Sequence, residues 1–290
     1  MKKLKLPLLI IGAFIVSIIS TGCTTDEMDG IEIITTNYAN EYIVNRIYKD
    51  HAKINSIYPD GVDTSTYTIS SKKKKEYSKK DIFVYNGLIE VERNLAMDLL
   101  DINPSLKIID TAYVLETDYA PEELWLNPSS LLMMSQNVKN GLIEYVTSTY
   151  LHKDITDAYN SLKVDLSELD VLYREAVDDA TDKNIIIDDS TLKYLEKFGL
   201  KIYCIDSDAT DKTIADVEKL INTKKVSYII SFKGIDKSSN SKELITKYPN
   251  IKTIELHKLN ILSDDERKNS EDYLSITRNN LTLLNQELYQ

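Results

Sequence analysis

Apolar and polar residues follow two alternating patterns along this chain. Short runs rich in β-branched and aromatic residues, which are typical of strands, are separated by longer segments with the spacing of amphipathic helices. The predicted strands form two sets of four: residues 31–36, 53–58, 81–85 and 107–110, then residues 184–188, 201–205, 226–231 and 251–256. Since strands that alternate with helices form parallel sheets, this order predicts an α/β protein with two lobes, each a mainly parallel four-stranded sheet with helices.

One long helix is predicted between the two sets of strands. Its apolar residues recur at alternating spacings of four and three, which places them on a single helix face; they are Ile155, Tyr159, Leu162, Leu166, Leu169, Tyr173 and Val177. At about 1.5 Å per residue, a helix over residues 155–180 would extend roughly 40 Å. We therefore expect an N-terminal lobe over residues 31–153, a connecting helix over 154–182 and a C-terminal lobe over 183–290.

The first 22 residues have the pattern of a cleavable export signal. Three lysines precede an apolar run over residues 6–19, which is too short for a comfortable transmembrane helix. Small residues then lead directly to Cys23, as a lipoprotein signal peptidase requires. We expect Cys23 to carry lipid and residues 23–30 to form a tether. The lipid would anchor the body to the extracytoplasmic face of the cell membrane. An ordinary signal peptide followed by an incidental cysteine is the alternative.

Cysteine and charge content limit the possible partners. Cys204 is the only other cysteine, so a lipidated Cys23 leaves no disulfide. Signal cleavage would remove three lysines and leave 32 basic against 46 acidic residues, a net charge of −14. Nucleic acid is therefore not an expected partner, because phosphate contacts need clustered positive charge. The one basic cluster, residues 72–75 with Lys79 and Lys80, lies in a polar stretch before a strand and is interpreted as a solvated face.

Motifs of known catalytic sites are missing from the sequence. It contains no Gly-rich phosphate loop, no paired-cysteine motif, no His-Glu-x-x-His and no Gly-x-Ser-x-Gly. Its three histidines are too scattered to suggest a nucleophile with its base, and His51 and His152 lie in polar contexts typical of the surface. We therefore expect that the protein is not an enzyme.

Five short segments carry a family resemblance: residues 33–38, 58–63 with Tyr67, 78–88, 124–128 and 272–281. In their order and spacing they resemble the substrate-binding lipoproteins of metal ABC transporters, the zinc- and manganese-binding family that includes adhesin-like proteins. The resemblance covers nearly the whole chain after the signal. It implies two lobes joined by one helix, a divalent zinc or manganese ion between them, an ABC permease as partner, and a monomer attached to the membrane by lipid.

The resemblance also implies where metal ligands should lie. The family usually holds its metal with three histidines and one carboxylate, and the corresponding positions here are Ser65, Glu123, Asp189 and His257. Imidazole selects zinc, whereas carboxylates and water suit harder ions such as manganese, magnesium or calcium. These positions therefore predict an altered or degenerate cation site with a weakened preference for zinc.

A structural interpretation stands beside each of these four ligand assignments. Ser65 can form a turn, Glu123 can be a solvated residue of an acidic loop, Asp189 can cap a helix, and His257 can end a strand. Two functional hypotheses remain open. The protein is a solute-binding lipoprotein of a metal-type ABC importer with an altered site, or a surface lipoprotein that keeps the fold for adhesion or another interaction without transporting metal.

Overall fold

Two parallel four-stranded sheets form the frame of the protein, as seen in a computed structural model that describes residues 27–64 and 66–289. The first sheet has the order β2-β1-β3-β4, and the second has the same topology, β6-β5-β7-β8. The strands are β1 (Ile31–Thr35), β2 (Ala52–Ser56), β3 (Ile82–Tyr85), β4 (Lys107–Asp110), β5 (Asn184–Ile187), β6 (Lys201–Cys204), β7 (Tyr228–Phe232) and β8 (Lys252–Leu256). The predicted two-lobed α/β fold is confirmed.

The central strands of each sheet, β1 with β3 and β5 with β7, are buried on both faces against apolar side chains. Successive strand residues point to opposite faces, so Ile33 of β1 enters a central core while Ile34 enters an outer core of the N-terminal lobe. In β5, Ile187 and Ile186 divide in the same way between the central core and an outer core of the C-terminal lobe. Burial on both faces is typical of parallel sheets covered by helices.

Helices cover both sheets. In chain order they are α1 (Tyr38–Tyr48), α2 (Ser71–Tyr77), α3 (Glu90–Ile102), α4 (Glu123–Leu126), α5 (Pro128–Tyr145), α6 (Thr149–Asp178), α7 (Asp211–Asn222), α8 (Ser239–Lys247), α9 (Asp264–Lys268) and α10 (Tyr273–Leu288). Short 3₁₀ helices lie at Lys49–His51 and Ser190–Phe198. None of the helices in the described ranges is both long and apolar enough to cross a membrane.

The long helix α6 joins the two lobes through a shared core. All seven residues of its predicted apolar face are buried, and they belong to one cluster that also contains Ile33 of the first sheet and Ile187 of the second. The helix begins at Thr149, several residues before the predicted start, because the side chain of Ser148 accepts a hydrogen bond from the Leu151 backbone N–H and caps it there. The lobes are therefore packed on one continuous element.

Candidate functional site

A cleft between the lobes is lined by loops that follow the carboxyl ends of the strands. The loop after β8 meets two segments of the N-terminal lobe. The Gly61 N–H in the loop after β2 donates to the Leu262 carbonyl (2.8 Å), and the Tyr38 N–H at the start of α1 donates to the Asn260 carbonyl (2.9 Å). The Asn260 side-chain amide donates to the Thr64 hydroxyl at 3.4 Å. Ligands of open α/β sheets bind at such strand ends, so this cleft is the candidate site.

Ser65, the first predicted ligand, lies outside the described residues, and its role stays a prediction. Its neighbour Thr64 faces the C-terminal lobe through the bond from Asn260. No sequence pattern marks Asn260 as a residue of the site, because an isolated asparagine in a loop has no recognisable ligand spacing. The backbone at Leu259 has a positive φ of 59°, and the chain turns there so that Asn260 reaches the other lobe.

Glu123 lies at the lobe interface and is only 1% exposed. Its Oε1 accepts a hydrogen bond from the Asp118 N–H, while its Oε2 has no hydrogen-bond partner among the described residues and lies 3.8 Å from Lys197 Nζ of the other lobe. The expectation that Glu123 occupies an exposed loop end is therefore wrong. It begins α4, and the next three residues are all buried: Leu124, Trp125 and Leu126. Burial of this apolar run draws the carboxylate inside.

Asp189 caps the 3₁₀ helix Ser190–Phe198 at the other side of the cleft. Its side chain accepts a hydrogen bond from the Thr191 N–H at 2.8 Å, so the helix-cap interpretation of this residue is confirmed. The preceding Asp188 is buried and accepts from the Ser238 N–H at the start of α8, at 3.1 Å. Both carboxylates thus position the ends of C-terminal-lobe helices.

His257 follows β8 directly and has internal partners for both ring nitrogens. Nδ1 accepts a hydrogen bond from the Leu259 N–H at 2.9 Å, and Nε2 lies 3.4 Å from Glu266 Oε2. Burial lowers the pKa of His257, which favours the neutral ring with its proton on Nε2. The Asn280 side chain accepts a hydrogen bond from the His257 N–H and donates one to the His257 carbonyl. These two bonds hold His257 within its own lobe.

The predicted ligands are not gathered into a cluster in the part of the chain that the structure describes. No group of three or more His, Cys, Asp or Glu side chains there could hold a metal ion. The hydrogen bonds and ion pairs of Glu123, Asp189 and His257 also go to other residues rather than to one another. Oxygen atoms dominate the predicted set, which fits a hard cation better than zinc.

Comparison with known proteins identifies the family. The profile described as "ZnuA: Zinc-uptake complex component A periplasmic" matches residues 33–287, across both lobes. The chain belongs to this family. Members of the ZnuA family are periplasmic components of a transport complex, and the family is not an enzyme family.

Several relatives resemble this ZnuA-family chain. The zinc-binding lipoprotein AdcA of Streptococcus pneumoniae (strain ATCC BAA-255 / R6) is 24% identical over 315 residues, which cover 99% of this chain and 61% of AdcA. This chain therefore spans less than two thirds of that relative. The high-affinity zinc uptake system protein ZnuA of Bacillus subtilis (strain 168) is 22% identical, covering 92% of this chain and 90% of the relative.

Solved structures share the fold of this ZnuA-family chain. The Zn(II)-bound ZnuA-like domain of S. pneumoniae AdcA has a TM-score of 0.74 at 21% identity, covering 90% of this chain and 100% of the domain. The laminin-binding protein Lbp of Streptococcus pyogenes has a TM-score of 0.72 at 18% identity, covering 90% and 99% of the two chains. At these identities the likeness shows the fold alone.

Among the described residues of this ZnuA-family protein, every ion pair across the cleft joins an acid of the N-terminal lobe to a base of the C-terminal lobe. Arg267 of α9 is bidentate to Glu41 (2.6 and 2.7 Å) and also contacts both carboxylate oxygens of Asp60 (2.8 and 2.9 Å). Further pairs join Lys258 to Glu122 and Lys197 to Asp118, each at 3.4 Å. The acids belong to the N-terminal lobe and the cations to the C-terminal lobe, so charge on the chain itself draws the lobes together.

We expect Arg267→Ala to lower the free energy of unfolding by about 2 kcal/mol. The change leaves Glu41 and Asp60 facing each other with no cation between them, and Glu41 is only 10% exposed. The loss is smaller than for a fully buried pair because 35% of the Arg267 side chain is exposed. Urea titration measures this loss of unfolding free energy, and it adds no salt that would screen the ion pair. Arg278→Ala is the matched control, since its pair with Glu168 is long and exposed; equal losses in both variants would contradict the interpretation.

Another carboxyl, that of Glu92, is buried beneath the N-terminal side of the cleft. Glu92 of α3 is 4% exposed and lies where β1 and β3 end. It accepts hydrogen bonds from the Thr36 hydroxyl (2.5 Å), the Asn86 N–H (2.7 Å) and the Asn37 amide (3.4 Å). Burial raises the pKa of Glu92 to about 7, and these three donors oppose the rise without cancelling it. The group therefore titrates near neutral pH.

Proposed function

We propose that this protein is the extracytoplasmic solute-binding component of a metal-type ABC importer, which passes its cargo to a membrane permease and acts as a monomer. The observation that carries the proposal is the family match across both lobes, whose strand-end loops face one another over a cleft. The names of the relatives point to zinc as the cargo of those proteins.

We propose a divalent cation as the cargo here, bound with a lower preference for zinc. Ser65, Glu123, Asp189 and His257 are the proposed ligands. Support comes from Glu123 Oε2, a buried carboxylate oxygen with no hydrogen bond among the described residues. Buried polar atoms nearly always have a bonding partner, and a bound cation would supply one. Cargo binding at this set requires His257 to leave Glu266 and Glu123 to turn from Lys197.

Calorimetric titration with zinc, manganese and iron, after elemental analysis of the purified protein, tests the proposal. We expect zinc to bind more weakly than at a three-histidine site, and manganese to compete with it. Glu123→Gln, which keeps the shape of the side chain, should weaken binding by about tenfold or more, since even a group behind a ligand can contribute that much. Glu116→Gln is the control, because it changes an exposed carboxylate of the same loop that makes no ion pair across the cleft among the described residues, and this variant should bind like the original. Zinc binding that stays tight in the Glu123→Gln variant would contradict the assignment of this site.

We propose that Cys23 carries the lipid anchor. Cys23→Ala should abolish attachment of the lipid, and protein whose signal is nevertheless cleaved should leave the membrane fraction, because none of the described helices could span a membrane in its place. Cys204→Ala is the control and should leave the protein in the membrane fraction. Fractionation with mass spectrometry of the N-terminal peptide provides the measurement. A cleaved Cys23→Ala protein that stays on the membrane would show that the anchor lies elsewhere.

The adhesion hypothesis gains no support of its own from these observations. Likeness to the laminin-binding protein Lbp, at 18% identity, concerns the fold alone. The importer component is therefore the function that we propose.

A further inference from the structure

Three lysines on α2 and just after it form an unusual surface on this acidic protein. Lys72, Lys75 and Lys79, which we call the lysine surface, are exposed and line one open groove together with Ser71 and Glu76. Their ammonium groups have no ion-pair partner among the described residues. Neighbouring lysines do have partners: Lys73 pairs with Glu76, and Lys74 with Asp98. The three ammonium groups therefore place uncompensated positive charge on this surface.

The lysine surface lies beside the point where the chain leaves the body towards Cys23. Lys80 Nζ lies 2.7 Å from Glu32 Oε2, and the Glu32 N–H donates to the Asp81 carboxylate at 2.8 Å. Glu32 is the second residue of β1, which begins only four residues after Glu27. The segment that ends the lysine surface is thus bonded directly to the first strand.

The Lys79 end of this surface and the cleft lie at opposite ends of the strands of the N-terminal sheet. β1 and β3 are parallel neighbours, so their amino ends share one edge and their carboxyl ends the other. Lys79 and Lys80 precede the amino end of β3, whereas the cleft loops follow the carboxyl ends. A partner at the lysine surface therefore leaves the cleft open on the far side.

We propose that the lysine surface docks on anionic lipid headgroups of the membrane to which the protein is anchored. This inference rests on the proposed lipid on Cys23. Four residue steps from Cys23 to Glu27 reach at most about 14 Å, so the adjoining surface of the body stays close to the headgroups. Each lysine near an anionic membrane adds to the attraction. The net negative charge elsewhere disfavours other orientations, so docking holds the cleft towards the exterior.

Lysine footprinting of the full-length protein on vesicles tests the inference. The protein is reconstituted on phosphatidylcholine vesicles with or without phosphatidylglycerol, labelled with an acylating reagent, and analysed by mass spectrometry. We expect Lys72, Lys75 and Lys79 to be labelled several-fold more slowly when phosphatidylglycerol is present, and high salt to remove the difference. The control lysines, Lys163, Lys212 and Lys219, are also exposed and should label equally on both vesicles. Replacing the three lysines of the surface by glutamine should abolish the preference for anionic vesicles.

Each outcome separates the docking from the anchor. Equal labelling on both vesicles, with the protein still floating with them, would overturn the docking alone. Flotation with anionic but not neutral vesicles, lost on glutamine substitution, would support the docking and overturn the anchor. No flotation with either would overturn both. Protection that grows with protein concentration in the absence of vesicles would mean that a second copy covers the lysines, and would also overturn the proposal. Metal titration of the same sample tests the importer function independently.

Discussion

Replacing Leu166 by proline should unfold much of both lobes, not only the helix that carries the residue. Proline in a helix interior removes one backbone hydrogen bond and collides with the preceding turn, at a cost of about 3 kcal/mol or more. Leu166 is also 1% exposed within the core shared by the two lobes, so its packing is lost as well. Urea unfolding followed by circular dichroism should show a midpoint far below that of the unchanged protein, or no folded protein at all.

Thr149→Pro is the matched control for this substitution. Thr149 is the first residue of α6, it is exposed, and the preceding Ser148 already has the extended backbone that proline requires before it. The same residue type should therefore be tolerated there with little change in stability. Similar midpoints for Leu166→Pro and the unchanged protein would show that residues 149–178 do not form one helix in solution.

Glu92 should make the protein less stable as the pH rises towards neutrality. The carboxyl ionises near its ordinary value of 4.5 in the unfolded chain and at about 7 in the fold, so the folded state alone keeps the proton between these values. The contribution is fully present below pH 4.5 and is lost as the pH rises through 7. The difference in pKa corresponds to about 3 kcal/mol of unfolding free energy.

Glu92→Gln separates this effect from the titration of other carboxylates. Glutamine cannot ionise, so the free energy of unfolding of the variant, relative to the original, should rise between pH 4.5 and 7.5. Glu90→Gln changes an exposed carboxylate two residues away and should show no such rise. Parallel pH profiles for the original protein and Glu92→Gln would mean that burial does not hold the proton on this side chain.

The fold followed from the sequence because its signals are local. Ile33 and Ile34 alternate within one strand, and the apolar residues of α6 repeat at helical spacing, so the periodicity of each element is visible in a short window. Caps act over a similar range: Asn127 and Pro128 start α5 where the sequence indicates. The start of α6 was missed because capping by Ser148 lies outside the apolar pattern.

The cleft was less predictable because its contacts join distant parts of the chain. Arg267 pairs with residues more than two hundred positions away, and no sequence pattern encodes such a pair. Glu123 looked solvated beside Pro121 and Glu122, yet its burial depends on where Trp125 packs, with its indole N–H on the Lys258 carbonyl of the other lobe. Family resemblance gave the positions of the proposed ligands but not the partners that each one meets in this chain.

The uniform polarity of the ion pairs across the cleft gives the cation that we propose as cargo a competitor within the chain. Lys197 lies opposite the Glu123 oxygen that accepts no hydrogen bond among the described residues, and Arg267, which engages Glu41 and Asp60, helps to hold the lobes together. A cation bound by Glu123 would replace a covalently attached one, whose local concentration does not fall on dilution. The apparent affinity is the intrinsic affinity scaled by the fraction of molecules in which these pairs have parted. In pharmacological terms, the C-terminal lobe carries a tethered antagonist of the proposed cargo. The lobes can therefore close whether or not cargo is bound.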